Sequence, residues 1–199
     1  MIRIVIAEDQ TLLLGALGSL LNLEADMEVV GKAKNGAEAV ELVSELKPDI
    51  CMMDIEMPVL SGLDAASQLK EDPCKVIILT TFARAGYFER ARQAGVYGYL
   101  LKDSPSEELA NSVRTVMNGQ KVFAPELIEV AYEEKNPLTG REMQVIELVS
   151  LGKTTKEIAN DLKLTSGTVR NYISTILDKL AVSNRIEAIS YCQEQGWFK

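Results

Sequence analysis

The 199-residue chain is 47% hydrophobic and 25% charged, with a formal net charge of −8, which excludes a disordered scaffold and suits one large domain or two modest ones. No apolar run approaches the roughly 18 residues of a membrane span, and the opening meets Glu8 and Asp9 too early for a signal peptide. The absence of histidine excludes Ser-His-Asp and Cys-His catalysis and every His-ligated metal site, while Cys51, Cys74 and Cys192, unpaired in spacing, point to a reducing cytoplasm.

Short apolar runs at Ile2–Ala7, Val29–Ala33, Ile50–Met53, Val76–Leu79 and Tyr99–Leu101 predict strands. They alternate with helical spacing over Leu12–Leu23, Ala37–Leu46, Leu63–Leu69, Tyr87–Ala94 and Glu107–Met117. Five such units predict a doubly wound, five-stranded parallel α/β sheet with helices on both faces. The strands are unbroken apolar runs, as burial on both faces requires. Gly119 suits a helix end that needs positive φ. Ala124–Tyr132 predicts a short helix with Pro125 at its first position, and polar 133–137 marks a boundary. The division is a domain over 1–121, a linker over 122–137 and a second domain over 138–199. Charge divides similarly. Residues 1–135 hold 13 basic and 22 acidic residues, a net of −9, and residues 136–199 hold 8 and 7, a net of +1.

The second domain predicts three helices. Leu138–Leu151 begins with a capping box of Thr139 and Glu142 and stops at Gly152. Thr155–Leu162 follows, then a turn at Lys163-Leu164-Thr165, then Ser166–Leu180. Val169, Ile173, Ile176 and Leu180 form one buried stripe. Thr168, Arg170, Asn171, Ser174 and Thr175 lie opposite. This is the pattern of a helix-turn-helix with its third helix in the major groove of double-stranded DNA. Arg170 suits guanine and Asn171 adenine. Thr155, Lys156, Thr168 and Tyr172, with Lys179 and Arg185, would reach phosphates. On spacing alone, a helical bundle with a solvated polar face fits as well.

In the first domain, reactive side chains fall where strands end. Glu8 and Asp9 follow the first strand, Asp54 the third, Thr80 and Thr81 the fourth and Lys102 the fifth. An open parallel sheet binds ligands beyond the carboxyl ends of its strands, where strand order reverses; with order 2-1-3-4-5 that is between strands 1 and 3. Three carboxylates there repel one another unless a cation joins them, and hard oxygen ligands suit Mg²⁺. Lys102 offers a compact positive charge to a phosphoryl oxygen, and Thr80 a hydrogen bond. Asp54 is then the acceptor of a phosphoryl group, as an acyl phosphate. Tyr99 would follow Thr80 as it turns toward the phosphate. Each element alone is ordinary, since acidic pairs cap helices and lone lysines are solvated. Their joint placement carries the reading.

Glu8-Asp9, Asp54-Ile55, Met57-Pro58, Leu79-Thr80-Thr81 and Gly98-Tyr99-Leu100-Leu101-Lys102 resemble the receiver domain of a two-component response regulator over about the first 120 residues. The resemblance implies a CheY-like (flavodoxin-like) fold and Mg²⁺-dependent phosphorylation of Asp54 by a partner sensor histidine kinase. It implies metal ligation by Asp9, Asp54 and the backbone carbonyl of Glu56, with Glu8 nearby, and a Thr80–Tyr99 switch. Glu8 stands where Asp is commoner. Leu138-Thr139-Gly140-Arg141-Glu142, Gly152 to Ala159, Gly167 to Tyr172 and Lys179-Leu180 resemble the all-α, four-helix effector of LuxR-type helix-turn-helix regulators of the NarL/FixJ family. That likeness puts Arg170, Asn171 and Ser174 at base-reading positions and implies a fourth helix, near Asn184–Gln195, that makes a dimer contact. Asn171 and Tyr172 depart from the residues common there, so the operator is not inferable. Leu13 to Leu20, Thr81 to Arg84, Lys102 to Ser106 and Gly196 to Lys199 resemble the DesR-like branch, which implies control of membrane-lipid or cell-envelope genes.

An effector carrying +1 gains little from counterion release, so two joined modules should bind where one does not. Phosphorylation is expected to drive homodimerisation through helices 1 and 5, with Leu13, Leu17, Val113 and Val116 as apolar candidates, or through helices 4 and 5. Two other readings compete. An aspartate-nucleophile phosphatase of the haloacid-dehalogenase type also uses Asp, Thr, Lys and Mg²⁺, but Asp54-Ile55-Glu56 copies its motif poorly. A ligand-sensing LuxR-type receptor would need an apolar pocket in place of the acidic crevice.

Overall fold

The computed structural model describes residues 1–81, 84–128 and 136–198. They form two compact units, one around a sheet and one of helices. The first runs β1 (Ile2–Ala7), α1 (Thr11–Asn22), β2 (Met27–Ala33), α2 (Gly36–Leu46), β3 (Ile50–Asp54), α3 (Gly62–Gln68), β4 (Lys75–Thr80), α4 (Ala85–Ala94), β5 (Gly98–Leu101), α5 (Ser106–Met117) and β6 (Val122–Phe123). All strands lie parallel, in the order β2-β1-β3-β4-β5-β6.

Alternation along each strand builds two cores. Ile4 and Ile6, Ile50 and Met52, and Ile77 and Leu79 pack with Leu14, Leu17 and Leu21 of α1 and Leu109, Val113 and Val116 of α5. The intervening Val5, Ala7, Cys51, Met53, Val76 and Ile78 are buried too. They face the other side of the sheet, where α2 packs beside α3. This double burial is why the strands are apolar throughout. Gly119 has φ 83° and its N–H donates to the Val116 carbonyl at 2.9 Å, closing α5 as its sequence position suggests.

The sequence predicts five strands, and the sheet has six. The added β6 lies inside the stretch read as linker and is two residues long, too short for any periodicity. Its pairing is made by backbone alone. Val122 N–H donates to Tyr97 O at 2.8 Å and Ala124 N–H to Tyr99 O at 2.9 Å. Residues 125–128 are helical; the rest of the predicted short helix, and residues 133–135 of the predicted boundary, lie outside the described residues.

The second unit holds α6 (Gly140–Ser150), α7 (Thr155–Leu162), α8 (Ser166–Leu180) and α9 (Arg185–Glu194). Thr139 with Glu142, and Thr154 with Glu157, make reciprocal capping boxes at the starts of α6 and α7. Thr165 caps α8 by accepting the Thr168 N–H, and Asn184 caps α9. The four helices close over Val145, Ile146, Ile158, Val169, Ile173, Ile176 and Ala188. Each such Ile or Val contributes about 1.5–3 kcal/mol by leaving water. Cys51, Cys74 and Cys192 are buried and free. Among the described residues no helix is long and apolar enough to cross a membrane.

Candidate functional site

Strand register assembles the site. Ala7 pairs with Met53, Asp54 with Leu79, and Thr80 with Leu101. The carboxyl ends of β1, β3, β4 and β5 therefore come level, and the residues that end or follow them meet at one edge of the sheet. Lys102 Nζ lies 2.7 Å from Glu8 Oε2 and 3.0 Å from Asp54 Oδ2. Glu8 is 1% exposed and Asp54 7%. Backbone groups orient both carboxylates, Gln10 N–H donating to Glu8 Oε1 at 3.2 Å and Ile55 N–H to Asp54 Oδ1 at 2.7 Å. Lys102 N–H donates to Thr80 O at 2.8 Å, tying the ends of β4 and β5 together. A cleft of about 270 Å³ opens here, lined by Asp9, Gln10, Asp54, Glu56, Thr80, Thr81 and Lys102. Gln10 is the member that sequence reasoning missed; its position directly after Glu8-Asp9 was the available signal.

The site is short of positive charge. Burial pushes the Glu8 and Asp54 carboxyls above the usual carboxylate range, against the opposing pull of Lys102. Burial also works against the Lys102 charge, but hydrogen bonds to Glu8 and Asp54 outweigh it and its ammonium is held above the ordinary lysine value. One ammonium thus serves two buried carboxylates, with Asp9 beside them. Oxygens of Glu8, Asp9 and Asp54 all lie within 4.8 Å of one another. An all-oxygen, anionic donor set at that spacing fits a small hard divalent cation.

Tyr99 is fully buried on β5. Its ring centroid is 6.1 Å from that of Phe88, which lies 5.8 Å from that of Phe123 on β6. The apolar residues expected at a dimer surface do not supply one. Leu17, Val113 and Val116 are 5%, 0% and 0% exposed and belong to the core, with Leu13 packed against it. The outward face of α1 instead carries Leu12, Ala16, Leu20 and, just past its end, Leu23, all exposed. The helical period was read correctly; which face pointed inward depends on the sheet.

In the helical unit, α8 buries Val169, Ile173, Ile176 and Leu180. Arg170, Asn171, Ser174 and Thr175 are exposed on the other side, as is Lys156 of α7. Thr155, Thr168 and Tyr172 are half-buried. The Thr168 hydroxyl lies 2.9 Å from that of Thr165, Tyr172 packs against the core, and Arg185 Nη2 donates to Thr155 Oγ1 at 3.5 Å. Lys179, also expected at a phosphate, is ion-paired within the unit. Its Nζ lies 2.8 Å from Oε2 of Glu142, a buried carboxylate that also accepts the Thr139 N–H. The pair fastens α8 to the start of α6, because a buried carboxylate needs a counter-charge.

A receiver-type sheet with an acidic, lysine-bridged cleft and a separate helix-turn-helix unit define a class. Residues 4–114 match the response regulator receiver domain, and residues 136–192 match the bacterial regulatory proteins of the luxR family. The chain belongs to the response regulators with a LuxR-type DNA-binding domain, and it regulates transcription. In particular it is 67% identical over 199 residues to the transcriptional regulatory protein DesR of Bacillus subtilis (strain 168), covering 100% of both chains. It is 57% identical over 199 residues to the uncharacterized transcriptional regulatory protein YvfU of the same organism, covering 99% of this chain and 100% of the relative. Among solved structures, that of the response regulator ChrA of a heme-sensing two-component system aligns with a TM-score of 0.61 at 28% identity, covering 99% of this chain and 98% of the other.

Proposed function

We propose that Asp54 accepts a phosphoryl group from a sensor histidine kinase in a Mg²⁺-dependent reaction, and that this event raises the affinity of the helix-turn-helix unit for promoter DNA. The observation that carries this is Lys102 bridging Glu8 and Asp54 at 2.7 and 3.0 Å with Asp9 alongside. Asp9, Asp54, Glu8 and the backbone carbonyl of Glu56 would hold Mg²⁺, which when bound shields the carboxylates and draws negative charge from the phosphoryl oxygens. Lys102 orients the acceptor and meets an oxygen of the incoming group. Ile55 N–H fixes Oδ1, leaving Oδ2 toward Lys102 as the attacking edge. The carboxylate oxygen bonds to phosphorus as the bond to the donor nitrogen breaks, and the electron pair leaves with the donor. Thr80 then turns its hydroxyl to the phosphate, and Tyr99 packs beneath it.

The phosphorylated form is a homodimer, and the exposed apolar residues of α1 support that surface. In the effector, Arg170, Asn171 and Ser174 read bases, while Lys156, Thr155, Thr168 and Tyr172 hold phosphates. The protein acts in the cytoplasm as a regulator rather than an enzyme; the resemblances in α1 and at the C-terminus favour membrane-lipid or cell-envelope genes as its targets. The charged lining of the cleft speaks against an apolar signal ligand there. The test is incubation with phosphoramidate and Mg²⁺, followed by intact-mass measurement. A single adduct lost in Asp54→Ala is expected; an adduct that persists in the variant moves the acceptor elsewhere.

A further inference from the structure

We infer that Gly62 is a positioning residue for phosphoryl transfer, holding the Asp54–Ile55 peptide so that the acceptor carboxylate stays seated against Lys102. The inference rests on the reading of Asp54 as acceptor. Gly62 opens α3, and its conformation does not call for glycine, since its φ is not among the positive ones. What calls for glycine is space. A Cβ on Gly62 would fall inside the van der Waals shell of the Asp54 carbonyl oxygen and 2.9 Å from the carbonyl carbon. Both are backbone atoms, so no side-chain rotation relieves the clash.

The next peptide, Ile55–Glu56, is fastened to the start of α3 as well. Gly62 N–H donates to Ile55 O at 3.0 Å, and Met57 N–H donates to it at 3.2 Å. Ile55 N–H in turn donates to Asp54 Oδ1 at 2.7 Å. The start of α3 therefore sets the tilt of the peptide plane whose amide orients the acceptor carboxylate. A side chain at 62 must push α3 off β3 or rotate that plane. Either change swings Oδ2 away from Lys102, whereas Glu8, Asp9 and Lys102, carried by β1 and β5, stay in place.

The experiment compares Gly62→Ala with Ser61→Ala in the full chain. Ser61 caps α3 by accepting the Asp64 N–H at 3.2 Å, so its loss loosens the helix without crowding Asp54. Adduct formation from phosphoramidate with Mg²⁺ is followed by intact mass over a range of donor concentrations. For Gly62→Ala, the rate constant at saturating donor should fall at least about tenfold with the half-saturating donor concentration unchanged, as misplacement of a reacting group costs rate rather than binding. Ser61→Ala should lower the melting temperature while keeping the rate constant within about twofold, since capping acts on helix stability. Equal rate constants for Gly62→Ala and wild type overturn the inference, as does a loss in Ser61→Ala as large as in Gly62→Ala. If Gly62→Ala does not fold, the wild-type amide signals decide. Beryllofluoride should shift the Ile55 and Gly62 N–H resonances together, and an unmoved Gly62 signal beside a shifted Ile55 signal overturns the inference. Wild type that forms no adduct indicts the acceptor assignment itself, a different failure.

Discussion

Lys102 stands between Glu8 and Asp54, its single ammonium 2.7 Å from one buried carboxylate and 3.0 Å from the other. Removing it strands both. Loss of one partner from a buried ion pair costs roughly 3–5 kcal/mol, and protonation of Glu8 or Asp54, already pushed up by burial, recovers part of this. Lys102→Met should therefore melt well below wild type without Mg²⁺, and millimolar Mg²⁺ should restore part of the loss. Thermal melts with and without the cation check this; equal melting temperatures for variant and wild type would contradict it.

Tyr99 is joined to Phe123 of β6 through the Phe88 ring. Truncating a buried aromatic ring to alanine costs about 3–5 kcal/mol. Tyr99→Ala should lose stability on that scale yet still take up phosphate, because no acceptor or metal-binding atom is removed. Phosphate-dependent DNA binding should be lost. Gel-shift titration of the adduct separates the two effects.

In the helical unit, burial raises the Glu142 carboxyl, but hydrogen bonds from Lys179 and Thr139 outweigh it and hold the group below the usual glutamate range. A carboxyl depressed by folding stabilises the native state fully above its unfolded value, and that contribution is lost as pH falls through the folded one. The effector should lose stability on acidification below about pH 4.3, the unfolded glutamate value. Glu142→Gln should be less stable at neutral pH and show a flatter dependence through that window. Denaturant midpoints at a series of pH values give the comparison.

Arg170 and Asn171 are exposed on the face of α8 opposite its buried stripe. Alanine at either should leave the melting temperature unchanged. Specific DNA affinity should fall by about 1–3 kcal/mol if each makes a bidentate base contact. Lys156→Ala should instead weaken binding to all sequences and reduce the salt slope by about one.

Leu12 and Leu23 are 88% and 80% exposed at the two ends of α1. Aspartate at either position should cost little folding stability yet prevent dimerisation of the beryllofluoride form. Sedimentation equilibrium reads this directly; a variant that still dimerises places the interface on another face.

Much of this was legible in one dimension. Ile2–Ala7, Thr155–Leu162 and Ser166–Leu180 were bounded to the residue, because unbroken apolar runs and capping threonines are local signals. Glu8, Asp9, Asp54, Thr80 and Lys102 were found as a set because a parallel sheet puts the carboxyl ends of its strands on one edge. Strand β6 escaped because two residues have no period. The Lys179–Glu142 pair escaped because the partners are 37 positions apart and a lysine near a recognition helix looks like a phosphate ligand.

By itself the amino-acid order located the helices seen among the described residues, the change from a sheet-bearing half to a helical half and the roster of reactive side chains, since propensity, capping and periodicity act over a few residues. Only the tertiary structure decided which face of α1 is covered, that Lys102 is shared by two carboxylates, and that the backbone at Gly62 lies against the Asp54 carbonyl. Those outcomes depend on strand register and close packing between distant segments, quantities that no local pattern encodes.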